Sequence, residues 1–358
     1  MDYTLFQEHT VRLYDLPHHS SEIRTVKARS LLNVYRFDLF AKLFYARKRS
    51  ENKFLALEVY IKHIKVFNPD GREPGRDDKT SFDDFVATYD KLLDYFENNE
   101  FDSAQSIIPV TSDGVILDGA HRVAALAYYD KEVTIAVFEG VTPKGRFDYS
   151  YFKTRGLPQK ISDIIAKEIL YWTPNCLVAC MWPRMGDDNQ KETAKTILET
   201  YSIPFYHKSF DISLIELSKF IAKVYRKQRW VGTVADDFAG AKDKAFNCYA
   251  KGNTLDLFFF TTTKSLKETL SLKESIRAQY PFDKHSIHIT DNNEETGDVA
   301  YYSLTVQGMD EWYYADRWKG LCKLKSSLAE SFYIFKKTRW LEFKVFVKAQ
   351  LIKILRHS

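Results

Sequence analysis

The sequence predicts an α/β protein built from two units in one chain of 358 residues. Short β-prone runs alternate with helical segments along most of the chain, which is the pattern of sheets covered by helices. The length is generous for one domain and sufficient for two. Hydrophobic residues make up 45% of the chain and charged residues 28%, so both units can bury a core of ordinary size.

The predicted boundary between the two units is the Gly- and Pro-containing segment 139–158. We expect a helical extension, a first domain with α+β character, a second α/β domain and a C-terminal helix. In that order, these regions cover residues 1–50, 51–145, 155–320 and 325–358.

Local signals predict the elements of the first domain. Residues 54–67 are apolar, with strand character near their end. Residues 68–71 (Asn-Pro-Asp-Gly) form a turn, and Ser81 can cap a helix over 82–98. The next predicted elements are strands at 107–110, 115–117 and 133–138 and a helix over 121–129.

In the second domain, β-prone runs alternate with helices, and this predicts a mainly parallel sheet. The predicted strands are 177–182, 204–208, 255–263 and 286–290. The first predicted helix follows the strand 177–182 and ends at 201. Two further helices are predicted over 212–227 and 267–279, and a fourth begins near 294.

The most informative segment is the junction 118–122 (Asp-Gly-Ala-His-Arg), where an apolar strand runs through one glycine into a helix. A helix start presents unpaired N–H groups and partial positive charge, so it favours an anion. Gly119 allows close approach of the backbone, and the guanidinium of Arg122 matches phosphate oxygens. Asp118 can orient His121, bind a metal or act as a base. In the simpler interpretation, Asp118 only caps the helix, and His121 and Arg122 are surface residues.

The junction and its surroundings resemble the ParB/sulfiredoxin superfamily. The matching features are Ile108-Pro109-Val110, a turn with Gly114, a strand ending in Asp118-Gly119, the pair His121-Arg122 and an Ala-rich helix. They cover residues 55–140, well under half of the chain. The resemblance implies a small fold with a phosphate loop of the Gly-x-x-Arg kind and a nucleotide as its ligand.

Two differences from the superfamily pattern indicate which members this chain resembles most. Sulfiredoxins carry a catalytic cysteine between the Gly and the His of the loop, where this chain has Ala120, so sulfiredoxin chemistry is excluded. Partitioning proteins carry a helix-turn-helix region behind the domain, where this chain has a predicted α/β unit. The junction is most similar to that of the free serine kinases. The whole chain resembles uncharacterised proteins of bacterial surface-polysaccharide clusters.

A kinase needs a cradle for the donor phosphates, usually with Mg²⁺, and a group that takes the acceptor's proton. The charged loop 72–79 is the best source of the remaining groups, although a solvated turn is the alternative there. The expected residues that bind ATP or another nucleotide are Gly119, Ala120, His121, Arg122 and Lys79. The expected catalytic residues are Asp118, His121, Arg122, Glu73 and Asp77, and the expected Mg²⁺ ligands are Asp118 and Glu73.

Polar residues follow several predicted strands of the second domain, where ligands bind in open parallel sheets. Among these residues, His288 and Asp291 are the clearest candidates for a binding site, and we expect them to bind the acceptor. A lone strand histidine is more often structural, and that interpretation stays open. Trp230, together with Lys242 and Lys244, is a further candidate loop site.

The segment 330–358 combines basic residues with apolar and aromatic ones. A helix of this kind binds an anionic membrane surface or packs on protein, and both interpretations stay open. The net charge of +4 gives no support for nucleic-acid binding. The four cysteines are interpreted as reduced thiols, and no signal peptide is expected. We therefore expect a cytoplasmic protein, peripheral at the inner face of the membrane.

These observations predict a nucleotide-dependent phosphotransferase, a kinase acting on a hydroxyl of a small molecule or glycan. Surface-polysaccharide biosynthesis is the expected setting. A non-catalytic nucleotide-sensing or partner-binding module is one alternative. A DNA-associated ParB-like protein is another, disfavoured by the charge and by the missing helix-turn-helix region.

Overall fold

A computed structural model of the chain describes residues 5–6, 8–17, 19–73, 78–142 and 147–314. The strands are β1 (Glu22–Lys27), β2 (Ile108–Thr111), β3 (Glu132–Phe138), β4 (Cys176–Met181), β5 (Ile203–Asp211), β6 (Thr254–Thr261) and β7 (Ile287–Ile289). The helices are α1 (Glu8–Tyr14), α2 (Phe37–Lys48), α3 (Lys53–Phe67), α4 (Phe82–Asn98), α5 (Ala120–Tyr128), α6 (Tyr149–Thr154), α7 (Gln159–Trp172), α8 (Asp188–Glu199), α9 (Leu214–Val224), α10 (Ala239–Cys248), α11 (Leu266–Arg277), α12 (Asn293–Leu304) and α13 (Val306–Asp310). The predicted α/β class is confirmed.

The chain divides into two compact units, residues 1–305 and residues 306–358. Both sheets belong to the first unit. The domain boundary predicted within 139–158 stays a prediction. The predicted C-terminal helix, 325–358, lies outside the described residues.

The first sheet has the strand order β1-β3-β2. Its central strand pairs antiparallel with β1 and parallel with β2, and α5 makes the crossover between the parallel strands. The region predicted as a helical extension thus also supplies a strand. The predicted strand at 115–117 is wrong, because only one bridge forms there, from Ile116 to Val110. The Thr111 hydroxyl oxygen accepts a hydrogen bond from the N–H of Val115. A side chain therefore replaces one of the backbone hydrogen bonds that a strand pair would make here.

The helix α3 corrects a second prediction, since residues 54–67 are helical to their end. The Asn52 side chain accepts from the N–H of Leu55 and starts the helix. Its buried residues, Ala56, Val59, Tyr60, His63 and Ile64, recur at helical spacing. Packing of this face therefore overrides the β propensity of the Val66-Phe67 end.

The second sheet has the strand order β5-β6-β4-β7, and all neighbouring strands are antiparallel. The prediction of a mainly parallel sheet is therefore wrong. β4 and β5 do run in the same direction, joined through α8, but β6 lies between them and is antiparallel to both. This is a split βαβ arrangement. Alternation along the chain cannot distinguish it from a parallel sheet, because the insertion of β6 depends on long-range pairing.

Helices cover the second sheet. A core cluster that includes Met181, Leu198, Phe260, Ile276 and Ile287 joins the sheet to α8 and α11. The helix α12 contacts β4 and packs beside α7 and α9. Residues of β4 alternate, so Leu177, Ala179 and Met181 point to the α8–α11 side and their neighbours point away from it.

The predicted start of α4 at Ser81 is confirmed. Replacing Ser81 with alanine tests how much its side-chain cap stabilises the fold. The Ser81 hydroxyl accepts from the N–H of Asp84 at 3.3 Å. Without this cap, we expect the free energy of unfolding to fall by about 1 kcal/mol. Denaturant unfolding of Ser81→Ala beside the exposed Ser112→Ala measures the effect. An equal loss in both variants would contradict the capping role.

Candidate functional site

The junction 118–122 has the local geometry that its sequence predicts. The helix α5 begins at Ala120, and Gly119 is its N-cap, in the left-handed conformation with a φ of 82°. A Cβ atom at Gly119 would lie 2.5 Å from Ile108 Cδ1 and 3.0 Å from Arg122 Nη2. Glycine is therefore required here. The N–H groups in the first turn of a helix have no intrahelical acceptor, so this turn can bind an anion.

Asp118 and Arg122 lie together at the start of α5. Asp118 Oδ2 is 3.5 Å from Arg122 Nη2, and the two side chains are 25% and 21% exposed. Arg122 Nη1 also donates to Ser106 Oγ. A guanidinium that solvent can reach, beside a helix start, is suited to bind phosphate oxygens with two parallel hydrogen bonds.

His121 has different partners from Arg122. Its Nε2 lies 2.8 Å from the hydroxyl oxygen of Tyr60. Burial, followed by the positive charges of Lys42 and Lys79, lowers the pKa of His121 well below its usual value. The imidazole is therefore neutral at pH 7 and can serve as a hydrogen-bond donor or acceptor.

The described part of the charged loop lies near the same place. Lys79 Nζ donates to Glu73 Oε2 at 2.5 Å, and the lysine side chain is 8% exposed. The ammonium also lies 5.2 Å from the ring centroid of Phe85. Its charge reaches His121, as the lowered pKa of that residue indicates. Asp77 lies outside the described residues.

A buried charge network, which the sequence did not lead us to expect, contacts the chain just before the junction. Arg36 donates Nε and Nη2 to the two carboxylate oxygens of Asp38, at 2.9 and 3.0 Å, and Nη1 to the Ile116 carbonyl. Lys42 Nζ donates to Asp38 Oδ2 at 2.8 Å. The three charged side chains are at most 7% exposed. The network therefore links α2 to the segment that leads into the junction.

The electrostatics of this network extend to the junction itself. Burial alone would raise the pKa of Asp38, but Arg36 and Lys42 lower it far below its usual value. Burial lowers the pKa of Arg36, whereas Asp38 and, after it, Tyr14 and Asp118 raise it. Asp118 is therefore within electrostatic reach of the network, in which two cations share one carboxylate.

A sequence signal for this network does exist. Asp38 and Lys42 are four residues apart, so they lie one turn apart on a helix. Both interrupt an otherwise apolar run, Phe37–Ala46. Charged side chains on a buried helix face need partners of opposite charge, and Arg36 is a further nearby candidate. Reading the spacing of the charges, as well as that of the apolar residues, would have identified the group.

His63, on α3, is a second residue that we did not single out from the sequence. Its side chain is fully buried, and by distance and angle neither ring nitrogen has a hydrogen-bond partner among the described residues, although the backbone of Tyr60 and Val59 lies close enough to raise the pKa of the imidazole slightly against the effect of burial. The ring lies 5.1 Å from that of Tyr60, which also holds His121. Burial and then Lys42 lower the pKa of His63 well below its usual value. Because buried polar atoms nearly always have a partner, His63 is a candidate contact for a ligand or a water molecule.

The two acceptor-binding residues predicted in the second domain have partners of their own. His288 Nε2 lies 2.8 Å from Glu295 Oε1, and Asp291 Oδ1 accepts from Lys273 Nζ at 2.6 Å. The second oxygen of Glu295 accepts from the N–H of Asp291, so one carboxylate links both residues. Their role in acceptor binding stays a prediction.

A cavity of about 350 Å³ lies beside β5, and His207 and Lys153 are among its lining residues. His207 Nε2 is 2.8 Å from Asp256 Oδ1, and Lys191 holds the other carboxylate oxygen at 2.6 Å. A histidine oriented by a buried aspartate is an arrangement used for general-base catalysis. The cavity is therefore another candidate location for the acceptor.

The predicted ligands fit Mg²⁺ only if a bound nucleotide supplies phosphate oxygens as further ligands. The described residues contain no group of three His, Cys, Asp or Glu side chains that could hold a metal ion. Asp118 and Glu73, the predicted ligands, each contact a cationic side chain. Magnesium at nucleotide sites is held largely by phosphate oxygens and water, so one or two carboxylates suffice.

The basic segment 330–358 lies outside the described residues. Within the part of the chain that the structure covers, none of the helices has the length and apolar character of a membrane span. Binding to an anionic membrane surface stays a prediction.

Comparisons with protein-family models, with curated proteins and with solved structures find no match to this chain. The resemblance to the ParB/sulfiredoxin superfamily therefore stays a prediction, based on residues 55–140.

Replacing Asp38 with asparagine leaves Arg36 and Lys42 buried without their carboxylate. At pH 7 we expect the free energy of unfolding to fall by about 3–5 kcal/mol. Folding lowers the pKa of Asp38, so its stabilisation is present above the unfolded-state pKa of about 3.9 and declines below it. The difference between the two proteins should therefore shrink by about 1 kcal/mol between pH 7 and pH 3.

Denaturant unfolding at both pH values measures this difference. The exposed Glu132→Gln change, on the first sheet, is the control and should stay within about 0.5 kcal/mol of the wild type. A difference for Asp38→Asn that does not change with pH would contradict the ionised state of Asp38.

Proposed function

We propose that the junction 118–122 binds the phosphate groups of a nucleotide, ATP or another, and that the chain transfers a phosphoryl group to a hydroxyl of a small molecule or glycan. The observation that carries this proposal is the left-handed Gly119 N-cap, with the Arg122 guanidinium beside the first turn of α5. Helix starts bind phosphate through backbone N–H groups, and arginine adds a planar fork.

Positive charge around the junction supports phosphate binding. Lys42 and Lys79 both act on His121, and Arg36 adds a further cation within reach of Asp118. Phosphoryl transfer depends mainly on positioning and on stabilisation of the charge that develops on the transferred group. Lysine and arginine side chains at a helix start can supply both.

Nucleotide binding would also release the carboxylates that the chemistry needs. Arg122 holds Asp118, and Lys79 holds Glu73. Phosphate oxygens compete with these carboxylates for the cations. A released carboxylate then takes the proton of the acceptor hydroxyl, whose oxygen attacks the terminal phosphorus as the shortened nucleotide leaves. Mg²⁺, when bound, supplies further neutralisation of the phosphate charge.

The setting of the reaction belongs to the same proposal. The acceptor is a hydroxylated small molecule or a glycan, and surface-polysaccharide biosynthesis is the pathway class that uses such acceptors. The basic segment 330–358 would hold the protein at the inner face of the membrane. His288 and Asp291, or the cavity beside His207, would receive the acceptor.

A nucleotide-sensing module without transfer is the second candidate. The favouring observation is that each described candidate base already has a partner. The pairs are Asp118 with Arg122, Glu73 with Lys79 and His121 with Tyr60. A module that only binds nucleotide can keep its carboxylates paired, whereas a kinase must release one of them.

The first test is nucleotide binding by the Arg122→Ala variant. At a nucleotide concentration of about 100 times Kd, the wild-type chain should gain about 2.7 kcal/mol of stability. Arg122→Ala removes charge-assisted hydrogen bonds and should weaken binding by roughly 1.5–3 kcal/mol. Thermal unfolding with ATP, ADP and CTP, with and without Mg²⁺, measures the effect. The matched control is Arg24→Ala, an exposed arginine on β1, and equal shifts in the two variants would remove Arg122 from the site.

The second test is turnover by Asp118→Asn and Glu73→Gln. Loss of the base should reduce turnover by about 10²–10⁴-fold in one of them, while nucleotide-induced stabilisation persists. Mass spectrometry of amino-acid, polyol and sugar acceptors incubated with ATP provides the measurement, and Glu132→Gln is the control. Unchanged turnover in both variants would eliminate these residues as bases. Binding without turnover by the wild-type chain would favour the sensing module.

A further inference from the structure

A second polar cluster lies on the second sheet, where residues far apart in sequence meet. Trp182 follows β4, and its backbone N–H donates to the carbonyl of Ser286 at 2.9 Å. Tyr225 ends α9, and Lys244 lies on α10. Trp230 lies in the segment between these two helices. Of the residues that meet here, Trp230 and Lys244 belong to the candidate loop site that the sequence indicates.

The ammonium group of Lys244 is surrounded by aromatic rings. Its Nζ lies 5.6 Å from the ring centroid of Trp182, 5.6 Å from that of Tyr225 and 5.9 Å from that of Trp230. Ring faces stabilise the positive charge. Among the described residues, however, this ammonium makes no ion pair and no hydrogen bond. Its three N–H bonds therefore have no acceptor in that part of the chain.

Three buried polar groups, two on rings that surround this ammonium and one on Ser286, the backbone partner of Trp182, also have no hydrogen-bond partner in the described residues. They are Trp182 Nε1, the Tyr225 hydroxyl and the Ser286 hydroxyl. Their side chains are 0%, 7% and 0% exposed, in the same order. Buried polar groups nearly always have a partner, because each one left unsatisfied is costly. Three such groups around Trp182 and Tyr225, together with an ammonium that has no acceptor among the described residues, indicate that a polar occupant belongs here.

The chemistry of these groups selects a negatively charged occupant. An indole N–H and an ammonium can only donate hydrogen bonds, and both hydroxyls can donate as well. The carboxylates that act on Tyr225 are Glu295 and Asp291. Both are occupied, since His288 holds the first and Lys273 the second. Neither of these two carboxylates is therefore left to satisfy the donors.

A second cation borders the cluster. Arg184 Nε is buried without a partner in the described residues, and its Nη2 donates to the carbonyl of Phe246 on α10. Burial raises the pKa of Cys248 to about 11, while Lys244 and Arg184 act in the opposite direction. Both cations therefore lie near this thiol, and together they create a positive potential that favours an anion.

We propose that Trp182, Tyr225, Lys244 and Ser286 form a binding site for a small oxyanion, which is phosphate, sulfate or a carboxylate, either free or as a group on a larger ligand. The anion pairs with the ammonium of Lys244 and accepts hydrogen bonds from the indole and from the two hydroxyls. The site is on the second sheet and does not depend on nucleotide binding at the junction.

The indole N–H of Trp182 provides a direct reporter. In the full chain with ¹⁵N-labelled tryptophan, each of the six tryptophans carries one indole N–H, and Trp182→Phe identifies the signal of interest. Titration with inorganic phosphate should move this signal until it saturates, because the N–H gains an acceptor. Phosphate bound at the junction does not affect this readout. Sulfate and acetate are titrated in parallel, and sodium chloride at equal ionic strength controls for screening.

Two variants test the assigned residues. Lys244→Met should weaken phosphate binding by at least about tenfold, since a hydrogen bond to a charged group and an ion pair are lost together. Tyr225→Phe, which removes only a hydroxyl, should weaken it by several-fold. Lys242→Met is the matched control on the same helix, because Lys242 is 54% exposed and pairs with Asp237. This control should bind phosphate like the wild type.

Thermal unfolding gives an independent check that does not rely on the reporter. In buffer without oxyanions, Tyr225→Phe should be at least as stable as the wild type, because it removes an unpartnered buried hydroxyl. In saturating phosphate the order should reverse. The proposal is overturned if phosphate, sulfate and acetate all leave the Trp182 signal unchanged, or if chloride moves it equally. It is also overturned if Lys244→Met binds phosphate as well as Lys242→Met does.

Discussion

The first sheet and its junction depend on one buried interaction, the bidentate pairing of Arg36 with Asp38. Three charged side chains of this network are nearly inaccessible to water, and such burial is tolerable only when the partners satisfy one another. Lys42 Nζ donates to Oδ2 of the same carboxylate, and Arg36 Nη1 donates to the Ile116 carbonyl. The network thereby holds α2 against the strand-like segment that leads into the junction. Breaking it would leave charge buried next to the place where a phosphate is proposed to bind.

The junction combines backbone geometry with charges that can change partners. Gly119 is fixed by its left-handed conformation and by the closeness of Ile108, so the start of α5 has little freedom. The side chains around it are less constrained, because Arg122 and Lys79 hold carboxylates that a phosphate could replace. A rigid turn with exchangeable ion pairs is consistent with ligand binding that prepares a base. The same pairs, if they persist with nucleotide bound, describe a sensor.

The junction and the cluster around Lys244 differ in how their polar groups are satisfied. Around the junction, the described cations and carboxylates are mostly paired, and His63 is a buried side chain whose ring nitrogens have no partner of hydrogen-bond geometry among the described residues. On the second sheet, the donors of Trp182, Tyr225 and Ser286 have no acceptor among the described residues. A paired centre can release groups when a ligand arrives, whereas an unpaired centre gains stability from the ligand directly. We therefore expect a ligand at the cluster around Lys244 to raise the thermal stability directly, without first breaking existing ion pairs.

Short-range signals in the sequence were sufficient for those elements whose geometry is local. The cap at Ser81, the turn at 68–71 and the glycine start of α5 each involve residues within a few positions of one another. Prediction was wrong for the end of α3 and for the direction of the second sheet. Burial of one helix face decided the first, and insertion of β6 between β4 and β5 decided the second.

The sites follow the same division. Asp118, Gly119 and Arg122 are close in sequence, so their common location was predictable, whereas the partners of His121 were not. The meeting of Arg36 with Ile116, or of Trp182 with Lys244, requires elements that pack only in the folded chain. Residue types and local spacing thus determined which groups were available for chemistry. Tertiary packing alone decided which of them are buried, which are paired and which still lack a partner, because burial and pairing depend on contacts between distant segments.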